Sequence, residues 1–144
     1  MKYTAFVLCG RMDRNCINCG NYVVEVIVMA DNPEFVKALA NHKAKEGLHP
    51  PSDMRDSVSH VVSVHESDVE LWEYQVGVRG RYIDDDDPSG QERFQGTTIK
   101  VVAESEEQAR EIGQREAPYY LSENAYGPKI TQLKLIGPHK RKEA

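Results

Sequence analysis

The most specific chemical signal in the chain is a cysteine cluster: Cys9, Cys16 and Cys19, the last two within Cys16-Ile17-Asn18-Cys19-Gly20. Two thiolates separated by two residues, with a glycine permitting the turn, can share one tetrahedral zinc ion in the manner of a zinc knuckle. The local sequence offers no fourth ligand, which Asp13 or a distant His42, His49, His60 or His65 would have to supply. A redox dithiol of this spacing ordinarily sits at a helix N-terminus, where the thiolate is stabilised, whereas these flanks read as a hairpin. Three thiols in a reducing cytoplasm, with Cys9 turned into the core, are the simplest account. The expectation is therefore no obligatory cofactor, with zinc on Cys9, Cys16 and Cys19 as the alternative.

Two further sets carry charge. Asp84, Asp85, Asp86 and Asp87 run straight into Pro88-Ser89-Gly90. Four carboxylates can attract a divalent cation or a basic partner, but the alternating ligands and late Glu of a calcium loop are missing, and the run reads as a solvated turn. Arginines recur as Arg11 and Arg14, then as Arg79 and Arg81, with Tyr82 adjacent and Arg93-Phe94 opposite. Arginines beside aromatic rings on a sheet can stack on bases and grip phosphates. The nearby aspartates argue against that use at short range, and cross-strand pairing of Arg79 or Arg81 with nearby acids is expected instead. Trp72, Arg79, Arg81, Tyr82 and Asp84, Asp85, Asp86 and Asp87 are thus the candidate partner-binding residues.

Catalytic patterns are missing. There is no Gly-x-Ser-x-Gly, no phosphate-binding glycine loop and no His-Glu-x-x-His. His65-Glu66-Ser67 has the His-x-Ser spacing of two-histidine phosphoesterases but occurs once, and His60 and His65 fall on opposite faces of a regular strand. No residue is assigned a catalytic role.

The elements that must carry these groups come from composition and repetition. The 144 residues have a net charge of −5, 40% hydrophobic and 28% charged residues, which describes an ordinary globular chain rather than a disordered one. The negative balance counts against coating nucleic acid. No apolar run reaches the ~18–20 residues of a membrane span, and the start is too polar for a signal peptide, so a soluble, cytoplasmic protein is expected. Gly10-Arg11 recurs as Gly80-Arg81, each after an alternating apolar run, and Val28-Met29-Ala30 precedes a helix as Val101-Val102-Ala103 does.

Each half reads as strand, strand, helix, strand. Residues 22–29, rich in β-branched side chains, suit a central strand. Asn32 caps a helix that opens with Pro33 and ends at Gly47, its apolar stripe being Val36, Leu39 and Ala40. Residues 58–66 form a third strand. In the second half residues 97–103 alternate, Ser105 and Gln108 form a capping box, and Gly113 inside the helix implies close approach to the sheet. Pro118 ends that helix and residues 130–136 close the unit. The fold class is α+β: duplicated ββαβ units over residues 1–68 and 69–137, in one or two mostly antiparallel sheets with the two helices packed on one side, and a mobile basic tail over 138–144. Units of about 70 residues are marginal alone, so a shared core is expected.

The strand-Val-x-Ala-acidic-Ser-x-Glu-helix pattern, over 99–112 and less closely over 27–39, resembles small accessory proteins of bacteria and their phages. That resemblance carries over no catalytic residue. Small acidic proteins of this sort are often viral or bacterial regulators, so a factor that binds host machinery such as a polymerase or nuclease is expected, in the host cytoplasm where the protein is viral. The reading is a non-enzymatic protein-binding module. The alternatives are a zinc-ribbon-like nucleic-acid-binding protein and a small enzyme of unassigned reaction.

Overall fold

Residues 3–9, Tyr-Thr-Ala-Phe-Val-Leu-Cys, are all buried, and this continuous burial places their strand at the middle of a sheet. The computed structural model describes residues 1–15 and 18–142. Strand β1 (Lys2–Asp13) pairs antiparallel with β2 (Asn18–Met29) on one side and β3 (Met54–Glu66) on the other, giving the order β2-β1-β3. The valine-rich run of 22–29 therefore lies at the sheet edge, not its centre. Its helix-facing valines reach the core, while Val23 and Met29 on the other side are exposed.

Helix α1 (Val36–Glu46) crosses this sheet after a 3-10 turn over Pro33–Phe35. Asn32 Oδ1 accepts from the Glu34 N–H at 3.0 Å, the expected cap. The buried stripe is Val36, Ala40 and Ala44, one residue every four, whereas Leu39 is 41% exposed. Small side chains at these positions let the helix sit close to Tyr3, Ala5, Val7 and Cys9, which share its core.

The second unit repeats the plan. Strand β4 (Trp72–Ile83) lies between β5 (Glu92–Ala103) and β6 (Tyr126–Pro138), and α2 (Glu106–Glu116) covers one face. Ser105 Oγ accepts from Gln108 N–H at 3.1 Å, and Gln108 Oε1 reaches back to the Glu104 N–H at 2.7 Å. A Cβ at Gly113 would lie 2.8 Å from Val76 Cγ1, so the helix touches the sheet where the sequence implied. The chain divides into two compact units, residues 1–69 with 141–144 and residues 70–140.

Pairing register shows how the units correspond. Tyr3 faces Val28 in the first and Tyr74 faces Val101 in the second, so Ala5, Val7 and Cys9 correspond to Val76, Val78 and Gly80. The Gly-Arg repeat is one residue out of step with this: Gly80 takes the place of Cys9, and Arg81 that of Gly10. A one-residue slip reverses the face of every side chain. Arg11 accordingly lies on the helix side of its sheet and Arg81 on the side away from the helix. Both third strands carry an extra residue at the matching place, Val62 opposite Phe6/Val7 and Thr131 opposite Gly77/Val78. The bulge at Val62 also brings His60 and His65 onto one side of β3, paired with Leu8 and Thr4, contrary to the regular-strand expectation.

The tail is held over its described length. His139 N–H donates to Leu71 O at 2.9 Å and its Nδ1 lies 2.7 Å from Glu73 Oε2. Arg141 bonds Thr4 Oγ1 at 2.6 Å, Glu66 O at 2.8 Å and Val69 O. No helix among the described residues is long and apolar enough to cross a membrane.

Candidate functional site

The face of the second sheet turned away from α2 gathers side chains from all three strands. Alternation along β4 sends Tyr74, Val76 and Val78 under the helix and Gln75, Arg79 and Arg81 to the other side. Register sets Phe94 opposite Arg81 on β5, and Lys129 opposite Arg79 and Tyr126 opposite Arg81 on β6. The Arg79 guanidinium lies 4.6 Å from the Phe94 ring centroid and that of Arg81 lies 5.4 Å from the Tyr126 ring. Both rings remain accessible, Phe94 being 57% and Tyr126 40% exposed. Stacking on a ring holds a guanidinium flat while its N–H fork still points outward.

These groups enclose a shallow cavity of about 210 Å³ lined by Arg79, Arg81, Phe94, Gly127 and Lys129. Gly127 has φ +59°, and a Cβ there would meet Arg81 Nη2 at 3.0 Å, so glycine satisfies both the backbone and the space Arg81 occupies. Glu92 sits at the rim: it is 3.5 Å from Arg81 Nη1 and accepts from the Tyr126 hydroxyl at 2.6 Å. That bond pushes the Tyr126 phenol above its ordinary range. The cross-strand pairing expected from the sequence thus holds for Arg81. Among the described residues Arg79 has the Phe94 ring as partner and no carboxylate ion pair.

The other partner-binding candidates lie elsewhere. Trp72 and Tyr82 fall on the helix side of β4. Asp84 Oδ1 accepts from the Asp86 N–H at 3.0 Å, and Asp87 takes the Ser89 N–H at 3.0 Å, its hydroxyl at 2.7 Å and Arg93 at 3.0 Å. The Ser89 bonds, with Arg93, hold the Asp87 carboxyl below the usual range. Asp84 and Asp87 are thus spent on turn geometry, leaving Asp85 and Asp86 exposed. Lys129 and Gly127 went unmarked in the sequence, since no motif surrounds them and only register brings them beside Arg79 and Arg81.

In the first unit the arginine is locked instead. Arg11 Nε and Nη2 donate to the two Asp56 oxygens at 2.8 and 2.9 Å, and the Tyr22 hydroxyl donates to Asp56 Oδ2 at 2.6 Å. A bidentate guanidinium–carboxylate pair closed by a phenol has little capacity left for a ligand. Cys9 is buried on the helix side, where burial and the Asp56 charge push its thiol up. Cys19 is exposed, and Cys16 lies outside the described residues. Among the described residues no three His, Cys, Asp or Glu side chains form a metal-holding group. His65 is buried, 2.9 Å from Ser63 Oγ and edge-on to Phe6.

The chain matches no protein-family model, no curated protein and no solved structure.

Proposed function

We propose that the protein is a non-enzymatic binding module that docks an acidic segment of a partner protein on the open face of its second sheet. The observation that carries this reading is the exposed Arg79–Phe94 stack, with Arg81–Tyr126 alongside. Arginines and aromatics dominate the residues on which interfaces depend, and a stacked guanidinium loses little freedom when it binds. The surface is locally basic although the chain is acidic: Lys129 and Lys134 extend it, Lys100 is paired with Glu73 at 3.2 Å, and Glu106, Glu107 and Glu111 lie on α2 across the sheet. Such segregation favours an acidic partner and speeds encounter.

The test is affinity capture with the wild-type chain and with Arg79→Glu and Lys129→Glu. Both sites are exposed, so the variants should melt as the wild type does. A partner retained by the wild type should be lost by about tenfold or more with either charge reversal, and should leave the wild type as salt rises. Retention unchanged by both reversals would remove this face from the reading.

A further inference from the structure

Resting on that reading of the open face, we infer that the cavity between Arg79, Arg81, Phe94, Gly127 and Lys129 receives the phosphoryl group of a phosphorylated side chain in the partner segment. Three cationic residues, with the Phe94 ring, line a space of about 210 Å³, below the roughly 300–1,000 Å³ of pockets for drug-sized ligands. It has room for one compact anion. A phosphoryl group carries close to two charges at neutral pH and three strong acceptor oxygens, a demand that two guanidinium forks and an ammonium answer better than they answer a carboxylate.

The arrangement is already assembled. Phe94 holds the Arg79 guanidinium, and Gly127 makes the space in which Arg81 lies. Arg79 has no carboxylate ion pair among the described residues and Arg81 has a single 3.5 Å contact with Glu92, so both can turn to an incoming dianion. The exposed edge of Phe94 would pack against the side chain that bears the phosphate. An extended polyanion fits less well, because Glu92 and Glu73 stand on the same face as the cations.

The experiment is an amide and arginine Nε NMR titration of the full chain at low salt. The probes are N-acetyl-phosphoserine amide, N-acetyl-aspartate amide, inorganic phosphate and decathymidylate. The phosphoserine probe is expected to shift residues 79, 81, 94, 127 and 129 saturably, and to bind about tenfold tighter than the aspartate probe. Arg79→Gln and Lys129→Gln should each weaken it several-fold with the spectrum otherwise unchanged. Equal binding of aspartate, inorganic phosphate as tight as phosphoserine, tighter binding of decathymidylate, or no shift at these residues would each overturn the inference. Loss of partner capture in Arg79→Glu with no phosphoserine titration would leave the docking face standing and remove the phosphoryl site alone.

Discussion

Two arginines of similar sequence setting end in different chemistry because of the carboxylates each one meets. Asp56 is nearly enclosed between Arg11 and the Tyr22 hydroxyl, and these bonds hold its carboxyl below the usual range, the Arg11 contribution being the larger. A depressed carboxyl stabilises the fold above its unfolded pKa, about 3.9, and that contribution disappears as pH falls through the folded value. Tyr22 runs the other way. Burial first, then the bond to Asp56, pushes its phenol up to about 12. Its stabilisation is complete below the unfolded value near 10 and is lost as pH climbs from there through about 12. Chemical denaturation of Asp56→Asn and Tyr22→Phe should separate the two. The deficit of Asp56→Asn relative to wild type should shrink below about pH 4, and that of Tyr22→Phe above about pH 10. A deficit constant across both windows would show that the cluster does not contribute as drawn.

At the level of elements, each helix meets its central strand through a matched pair of sizes. Ala40 sits in the first unit where Gly113 sits in the second, and Ala5 where Val76 does. The larger strand residue is accommodated by the smaller helix residue. Gly113→Ala should cost about 1–2 kcal/mol, crowding against the fully buried Val76 outweighing the gain of about 0.5–1 in helix preference. Val76→Ala should cost about 2 kcal/mol through lost burial and a cavity. The double variant should lose clearly less than the two together, in a thermodynamic cycle read by denaturant melts. Additive losses would mean the helix approaches the sheet elsewhere. The caps at Asn32 and Ser105 and the tight spot at Gly113 were all legible in sequence, because each depends on a few residues adjacent along the chain. The outer halves of the strands were not. Arg11 to Asp13 and Arg79 to Ile83 carry polar alternation that reads equally as loop, and pairing across the hairpin is what makes them strands.

Across the whole chain, the last described residues belong to the first unit, held by the Arg141 side chain and by the Lys142 N–H, which donates to Glu25 Oε2 at 2.6 Å. The Arg141 guanidinium bonds Thr4, Glu66 and Val69, one side chain serving both ends of that unit's sequence. Arg141→Ala should destabilise residues 1–69 by about 1–3 kcal/mol, the worth of bonds from a charged donor, and raise amide exchange near Thr4 and Ser67. Exchange unchanged at those residues would show the tail to be dispensable. The net charge of −5 is likewise a poor guide to the surface, since acids collect on α2 and the 84–87 turn while five cations share the open face of the second sheet. What the amino-acid sequence determined by itself was the order ββαβ-ββαβ, the caps and the helix–sheet contact, all set by near neighbours and by periodicity. Tertiary structure alone decided that β1 and not β2 is central, that the Gly-Arg repeat is out of step, and that Tyr126 and Lys129 join Arg79, Arg81 and Phe94. The physical reason is that a strand's lateral neighbours follow from register, and one residue of slip exchanges the two faces of a sheet.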